Sequence, residues 1–258
     1  MSILSAINGI AKVFKDNGMM KFVDIVSHNE NLRKIAESMS EDFVGNRQLL
    51  VHAAAIHDLW KSATIRPDAL LGKGSLFKGH SSKFPASLVN REFDDIEFDK
   101  SIRERHFDDY YILNLVRLHH SGFNTYALYR NVDFIFETFE KDRWKIIELT
   151  NAFIKDWYAL MTADWIDSAI MSSLFNAKDL EFYLTSEISL GRRDQTEFYV
   201  IPENFLKTDL ILSYRYIDLP INGVTQIIHN SRRHDALNKE FISRLENGAE
   251  KKVHLHAT

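Results

Sequence analysis

Ala53-Ala54-Ala55-Ile56-His57-Asp58-Leu59-Trp60-Lys61 decides how this chain is read. The small apolar run suits a buried helix. It ends in a histidine, an aspartate and, three residues on, a lysine. Burying an unpaired carboxylate costs several kcal/mol, a large share of the roughly 5–15 kcal/mol that holds a domain together. A divalent cation removes that cost by turning both side chains into ligands. His57-Asp58 therefore reads as the centre of a metal site, provided the chain supplies further ligands.

Working outward, composition narrows the chemistry. The chain has 258 residues and no cysteine, which excludes disulfides, zinc–thiolate sites and thiol nucleophiles. Any metal must rest on His, Asp and Glu, a set that suits Mn, Mg, Ni, Co, Fe or Zn. A net charge of −4 argues against a free-standing basic nucleic-acid binder. With 10 glycines and 4 prolines, long helices and few tight hairpins are expected. No secretory pattern or membrane-spanning stretch is visible, so a cytoplasmic protein with no membrane partner is expected.

Apolar spacing predicts a helix over residues 3–15, with Asn17-Gly18 as its glycine C-cap. Further helices are predicted at 20–39, from Arg47 to about Leu59, from His106 to His120, over 123–137 and from Arg143 to about Leu174. Residues 62–80 read as a loop. Its Gly72-Lys73-Gly74-Ser75 lacks the spacing of a phosphate loop. Beyond about 185 the texture changes: 197–201 and 210–217 look like strands, 223–247 like helix, and 251–258 like a frayed tail. The expectation is a mainly α protein. Residues 1–185 would form the core, and 186–258 a small strand-containing extension.

His28, His57, Asp58, His80, His119, His120 and Asp164 fall on successive predicted helices or their edges. Four segments carry a resemblance: Ile25-Val26-Ser27-His28, Ala55 to Lys61, Lys78-Gly79-His80-Ser81-Ser82 and Leu118-His119-His120-Ser121-Gly122. Ala163-Asp164-Trp165-Ile166-Asp167-Ser168 adds a fifth. Their order resembles the HD superfamily of metal-dependent phosphohydrolases. More closely, it resembles the stand-alone HD nuclease of type I CRISPR interference. One departure is Trp60, where the family usually has glycine before the lysine.

The resemblance implies an HD helical bundle holding two divalent metal ions. His28, His57, Asp58 and Asp164 would hold the first, with Asp58 bridging. His80, His119 and His120 would hold the second. Lys61 would meet the scissile phosphate as a point charge. Two cations a few ångströms apart would neutralise the phosphodiester and lower the pKa of a bound water. The implied activity is cleavage of single-stranded DNA in CRISPR defence. No Walker A motif is present, so the partners implied are a separate helicase subunit and an RNA-guided surveillance complex. The alternative is an HD nucleotide phosphohydrolase acting on dNTPs or signalling nucleotides. A non-catalytic module using metal for structure is a third reading.

Each residue also has an ordinary reading when taken singly. His28 could be a plain helix histidine, and His80 a loop histidine. His119-His120 could end a helix with one ring buried and one exposed. Asp167 competes with Asp164, and Lys61 could be a solvated helix-end cation. His52 lies five residues before His57, about 140° around a helix, and should face elsewhere. Arg192-Arg193 and Arg232-Arg233 read as solvated faces, or else as tracks for a strand.

Overall fold

A computed structural model describes residues 9–61, 70, 79–90, 104–121, 125–176, 204–230 and 243–257. Residues 3–8, Gly72–Ser75, the strand expected at 197–201 and both arginine pairs lie outside them.

The N-terminal helix expected over 3–15 is instead, from residue 10, a strand. β1 (Ile10–Asp16) pairs antiparallel with β2 (Met19–Asp24). Asn17 (φ 46°) and Gly18 (φ 80°) join them. Two consecutive positive φ values are what a two-residue type I′ hairpin needs. The pair that suggested a helix cap is thus a hairpin turn. The helical spacing has a local cause: a register shift between Ile10 and Lys12 buries Ile10 and Ala11 in succession. Such a bulge breaks the two-residue alternation that would have announced a strand.

The second helix is shorter than the 20–39 expected, because its first residues are β2. α1 (Ile25–Ser38) follows without a loop, and Asp24 caps it by accepting from the Ser27 backbone N–H at 3.2 Å. α2 (Arg47–Ile56) starts at its Asn46 cap and stops sooner than expected. The chain continues through Lys61 in turns closed by Leu59 N–H to Ile56 C=O and Lys61 N–H to Asp58 C=O. α3 (Phe107–Leu118), α4 (Thr125–Thr138) and α5 (Arg143–Asn176) lie close to their expected places. Between Asp156 and Met171, α5 buries residues on all its sides and is the central post of the body. α1 packs on α2 and α5, and α2 on α3 and α5. Leu32, Leu50, Ala53, Leu115, Trp157 and Leu160 fill the space between them.

The strand content is larger than a small extension. β3 (Leu210–Pro220) pairs with β2, and β4 (Ala249–Leu255) pairs with β3, giving one antiparallel sheet in the order β1-β2-β3-β4. The fold is therefore a helical body with a substantial four-stranded sheet, half of it from the N-terminal hairpin. Hydrogen bonds cross the boundary drawn at 185/186, since Phe22 opposes Ile217. α6 (Ile221–Asn230) follows β3 directly. The tail expected to fray from 251 is β4, with Val253 and Leu255 packed on the core and Lys252 and His254 facing out. An edge strand of this sort is charged on its open face. Among the described residues, no helix is long and apolar enough to cross a membrane.

Candidate metal centre

Two contacts fix the helix that brings in His57 and Asp58. Asp156 of α5 accepts the backbone N–H groups of Gly45 (2.7 Å) and Asn46 (2.8 Å). Asn46 in turn caps α2 through the Leu49 N–H. The loop here touches α5 so closely that a Cβ on Gly45 would lie 2.1 Å from the Ala152 carbonyl oxygen. At the other end of α2 the helix stops, and the turns fold His57, Asp58 and Lys61 inward, all three buried.

The remaining ligand candidates arrive from separate elements. His28 sits in the first turns of α1. His119 and His120 follow the last turn of α3, held on α5 by the Trp157 indole N–H donating to the Leu118 carbonyl at 3.1 Å. His80 follows Gly79, whose φ of 67° turns the chain. Arg117 of α3 ties that segment down by donating to the Phe84 carbonyl at 3.0 Å. Asp164 comes from the middle of α5.

All seven residues meet in one cluster, buried except for His120. His28, His57, Asp58 and Asp164 offer one ligand atom each within 4.8 Å of one another, and so do Asp58, His80, His119 and His120. Asp58 belongs to both groups. Its Oδ2 lies 3.0 Å from His28 Nε2 and 3.4 Å from His57 Nε2. Its Oδ1 lies 3.2 Å from His80 Nε2 and 3.5 Å from His119 Nε2. Ligand atoms bound about 2.0–2.2 Å from a shared cation sit about 3–4 Å apart, which matches this spacing.

Tautomers sharpen the fit. His57 Nδ1 lies 2.9 Å from the Ala54 carbonyl, and His119 Nδ1 lies 2.6 Å from the Val116 carbonyl. A carbonyl only accepts, so both Nδ1 atoms carry hydrogen, which leaves Nε2 as the nitrogen with which each ring can ligate. His57 Nε2 then faces His28 Nε2 at 3.3 Å, and His80 Nε2 faces His120 Nε2 at 2.8 Å. Ring nitrogens and carboxylate oxygens thus converge on one small volume. His119 Nε2 and Asp58 Oδ1 are buried without a hydrogen bond, an expense a native core avoids unless something else meets those atoms. These buried His and Asp groups can hold a metal ion.

The electrostatics agree. Burial alone would lower the His28 pKa, but hydrogen bonds to Asp164, Asp167 and Asp58 push it up to about 10. Burial would raise the Asp58 carboxyl, yet Lys61 and His57 hold it well below the usual carboxylate range. Asp164 is held low in the same way by His28. Burial pushes His57 and His80 down, which favours the neutral form that a ligand needs. The pocket thus demands positive charge. Without a metal, protonated His28 and Lys61, whose ammonium pairs with Asp58, supply it.

Lys61 is buried and turned toward the cluster rather than into solvent, and Trp60 packs against the hydrophobic core beside it. His52 is exposed on α2, away from the site as its spacing requires. His106 pairs with Asp109 at 3.3 Å at the start of α3. His256 pairs with Asp209 at 3.3 Å on the surface.

Several residues near the site were not given a role by sequence reasoning. Asp167 lies one turn beyond Asp164 on the same face of α5, and its Oδ2 is 2.6 Å from His28 Nδ1. In the sequence it competes with Asp164 as a ligand. Tyr214 reaches it from β3. Lys12, on the bulged β1, senses Asp164, Asp167 and Asp58, although burial is the largest influence on it and lowers its pKa. Its assignment to a helix hid it.

Fold and cluster together define a class: a helical body, backed by a sheet, that carries a largely buried five-histidine, two-aspartate candidate metal centre. No family model, curated protein or solved structure matches the chain.

Proposed function

We propose that this chain is a metal-dependent nuclease of the HD phosphohydrolase type, hydrolysing phosphodiester bonds of single-stranded DNA in CRISPR defence. The observation that carries the reading is Asp58, whose two oxygens face two different histidine groups. One carboxylate shared between two ligand sets is the arrangement that two-cation phosphoryl chemistry uses. His28, His57, Asp58 and Asp164 would hold one cation. Asp58, His80, His119 and His120 would hold the other, and Mn, Mg, Ni, Co or Fe suits this donor set. When bound, the pair supplies Lewis acidity toward a phosphodiester and lowers the pKa of water.

The chain's own side chains do the rest. The imidazoles that burial keeps neutral hold cations without cancelling their charge. Lys61, beside Asp58, provides a further positive charge for the phosphate and its transition state. His120 is the ligand candidate with the most exposed side chain, at 40%, and marks the side from which a strand would enter. The net charge of −4 fits delivery of the strand by a separate helicase and an RNA-guided surveillance complex better than unaided capture.

The test offers the purified chain labelled single-stranded DNA, duplex DNA and a panel of nucleotides, each with Mn²⁺, Mg²⁺, Ni²⁺ or Co²⁺. Loss of intact single strands, abolished in Asp58→Ala, is expected. Phosphate release from mononucleotides with DNA left whole would replace this reading with a nucleotide phosphohydrolase. No turnover with any metal would leave a structural site only.

A further inference from the structure

We propose that Tyr214 and Asp167 are a positioning pair that aims His28 at the metal, which makes strand β3 part of the centre. The inference rests on the reading that the cluster binds divalent cations. Asp167 is in neither ligand group, yet it is fully buried and both its oxygens are engaged. Oδ2 accepts from His28 Nδ1 at 2.6 Å, and Oδ1 accepts from the Tyr214 hydroxyl at 2.6 Å. The first contact leaves His28 Nε2 pointing at Asp58 and Asp164, at 3.0 and 3.4 Å. A histidine whose far nitrogen is held by a carboxylate is fixed in both tautomer and ring angle, and becomes a better ligand.

Tyr214 suits this place because one side chain does two jobs. Its ring is buried in the core, with the Phe175 ring centroid 6.4 Å away. Its hydroxyl alone reaches the carboxylate. Burial and the Asp167 charge push the phenol pKa up, so the group stays a donor.

The strand itself is laced to the helix that carries His28. Ser27 Oγ accepts from the Arg215 N–H at 3.0 Å. Asn31 accepts from the Ser213 N–H at 3.0 Å and donates to the Ser213 carbonyl at 3.1 Å. These bonds lie on both sides of Tyr214 along β3, and on both sides of His28 along α1. Strand register therefore sets where the hydroxyl meets Asp167, and Asp167 sets where His28 points.

The experiment measures binding rather than turnover. The full chain, stripped with EDTA, is titrated with Mn²⁺ by calorimetry and with Co²⁺ by its visible d–d absorption. Titrations are run in the cold, where circular dichroism shows each variant folded. Tyr214→Phe removes only the hydroxyl. A 10- to 100-fold weaker affinity is expected, the range found for lost outer-shell partners, with an altered Co²⁺ spectrum. Asp167→Asn should lose at least as much, and it keeps the test decisive if Tyr214→Phe folds poorly. Ser27→Ala removes one of the three bonds that lace β3 to α1 and leaves the two from Asn31 to hold the register, so it should cost clearly less than either.

Wild-type affinity and spectrum in both Tyr214→Phe and Asp167→Asn would overturn the positioning role. So would an equal loss in Ser27→Ala, because the support would then be diffuse. If the unaltered chain binds neither metal, or Asp58→Asn binds as tightly as it does, the metal reading itself fails.

Discussion

Replacing Asp156 by alanine should loosen the whole site from a distance. Its carboxylate takes three donors: the partly buried Gly45 N–H at 2.7 Å and Asn46 N–H at 2.8 Å, and the buried Tyr111 hydroxyl at 2.7 Å. Stranding a buried donor costs about 1–3 kcal/mol; with two of the three only partly buried, the set would cost about 3–6 kcal/mol. Part of this is offset, because burial outweighs those donors and pushes the Asp156 pKa up to about 6. At pH 8, where the carboxylate is ionised, alanine also relieves a buried charge, and the net loss expected is about 2–4 kcal/mol. The sign of the pH dependence follows. The folded pKa lies above the ordinary 3.8, so the contribution of Asp156 is fully present below that value and shrinks as pH rises through 6. The destabilisation should be larger at pH 5 than at pH 8. Urea unfolding of the metal-free chain and the variant at both values measures it. A loss below about 1 kcal/mol, or one that grows with pH, would refute the claim that Asp156 anchors α2.

Gly45→Ala should fail at the same anchor for a steric reason. The new Cβ would sit 2.1 Å from a backbone oxygen that cannot retreat, and loss of thermal stability larger than for alanine placed at Gly223, where the nearest atoms lie at 3.7 Å, is the expected readout. Metal-free chain should lose stability in alkali. The His28 pKa is raised from 6.5 to about 10, so its contribution is complete below about pH 6.5 and disappears as pH climbs through 10. Urea midpoints at pH 6 and 9 check this, and a His28→Gln variant that falls as steeply would contradict it.

The site was more legible than the fold around it. Histidines and aspartates are few and chemically loud, and their order along the chain survives any error in element boundaries. That is why His28 stands out although the helix expected from residue 20 begins five residues later, after β2. The N-terminal hairpin was lost to a bulge that imitates helical spacing at Ile10, Ala11 and Phe14. Asn17-Gly18 was itself a hairpin signal, outweighed by that spacing. β4 was lost because Lys251, Lys252, His254 and His256 make a short edge strand look like a solvated tail. Supporting residues leave fainter marks. Asp167 stood in plain view one turn past Asp164, but its partner Tyr214 is 47 residues away in a strand. Asp156 serves backbone amides, which have no sequence signature at all.

The pairing of β2 with β3 joins segments almost two hundred residues apart, and this has a consequence for synthesis on the ribosome. Every proposed ligand has been translated by residue 164, yet the strand that shores up α1 is still unmade. A nascent chain paused there would hold the full set of donor atoms without the wall that orders them. Contacts of such long range also form slowly. Competence to take up metal would accordingly arrive late and all at once, when β3 and β4 leave the exit tunnel and close the sheet.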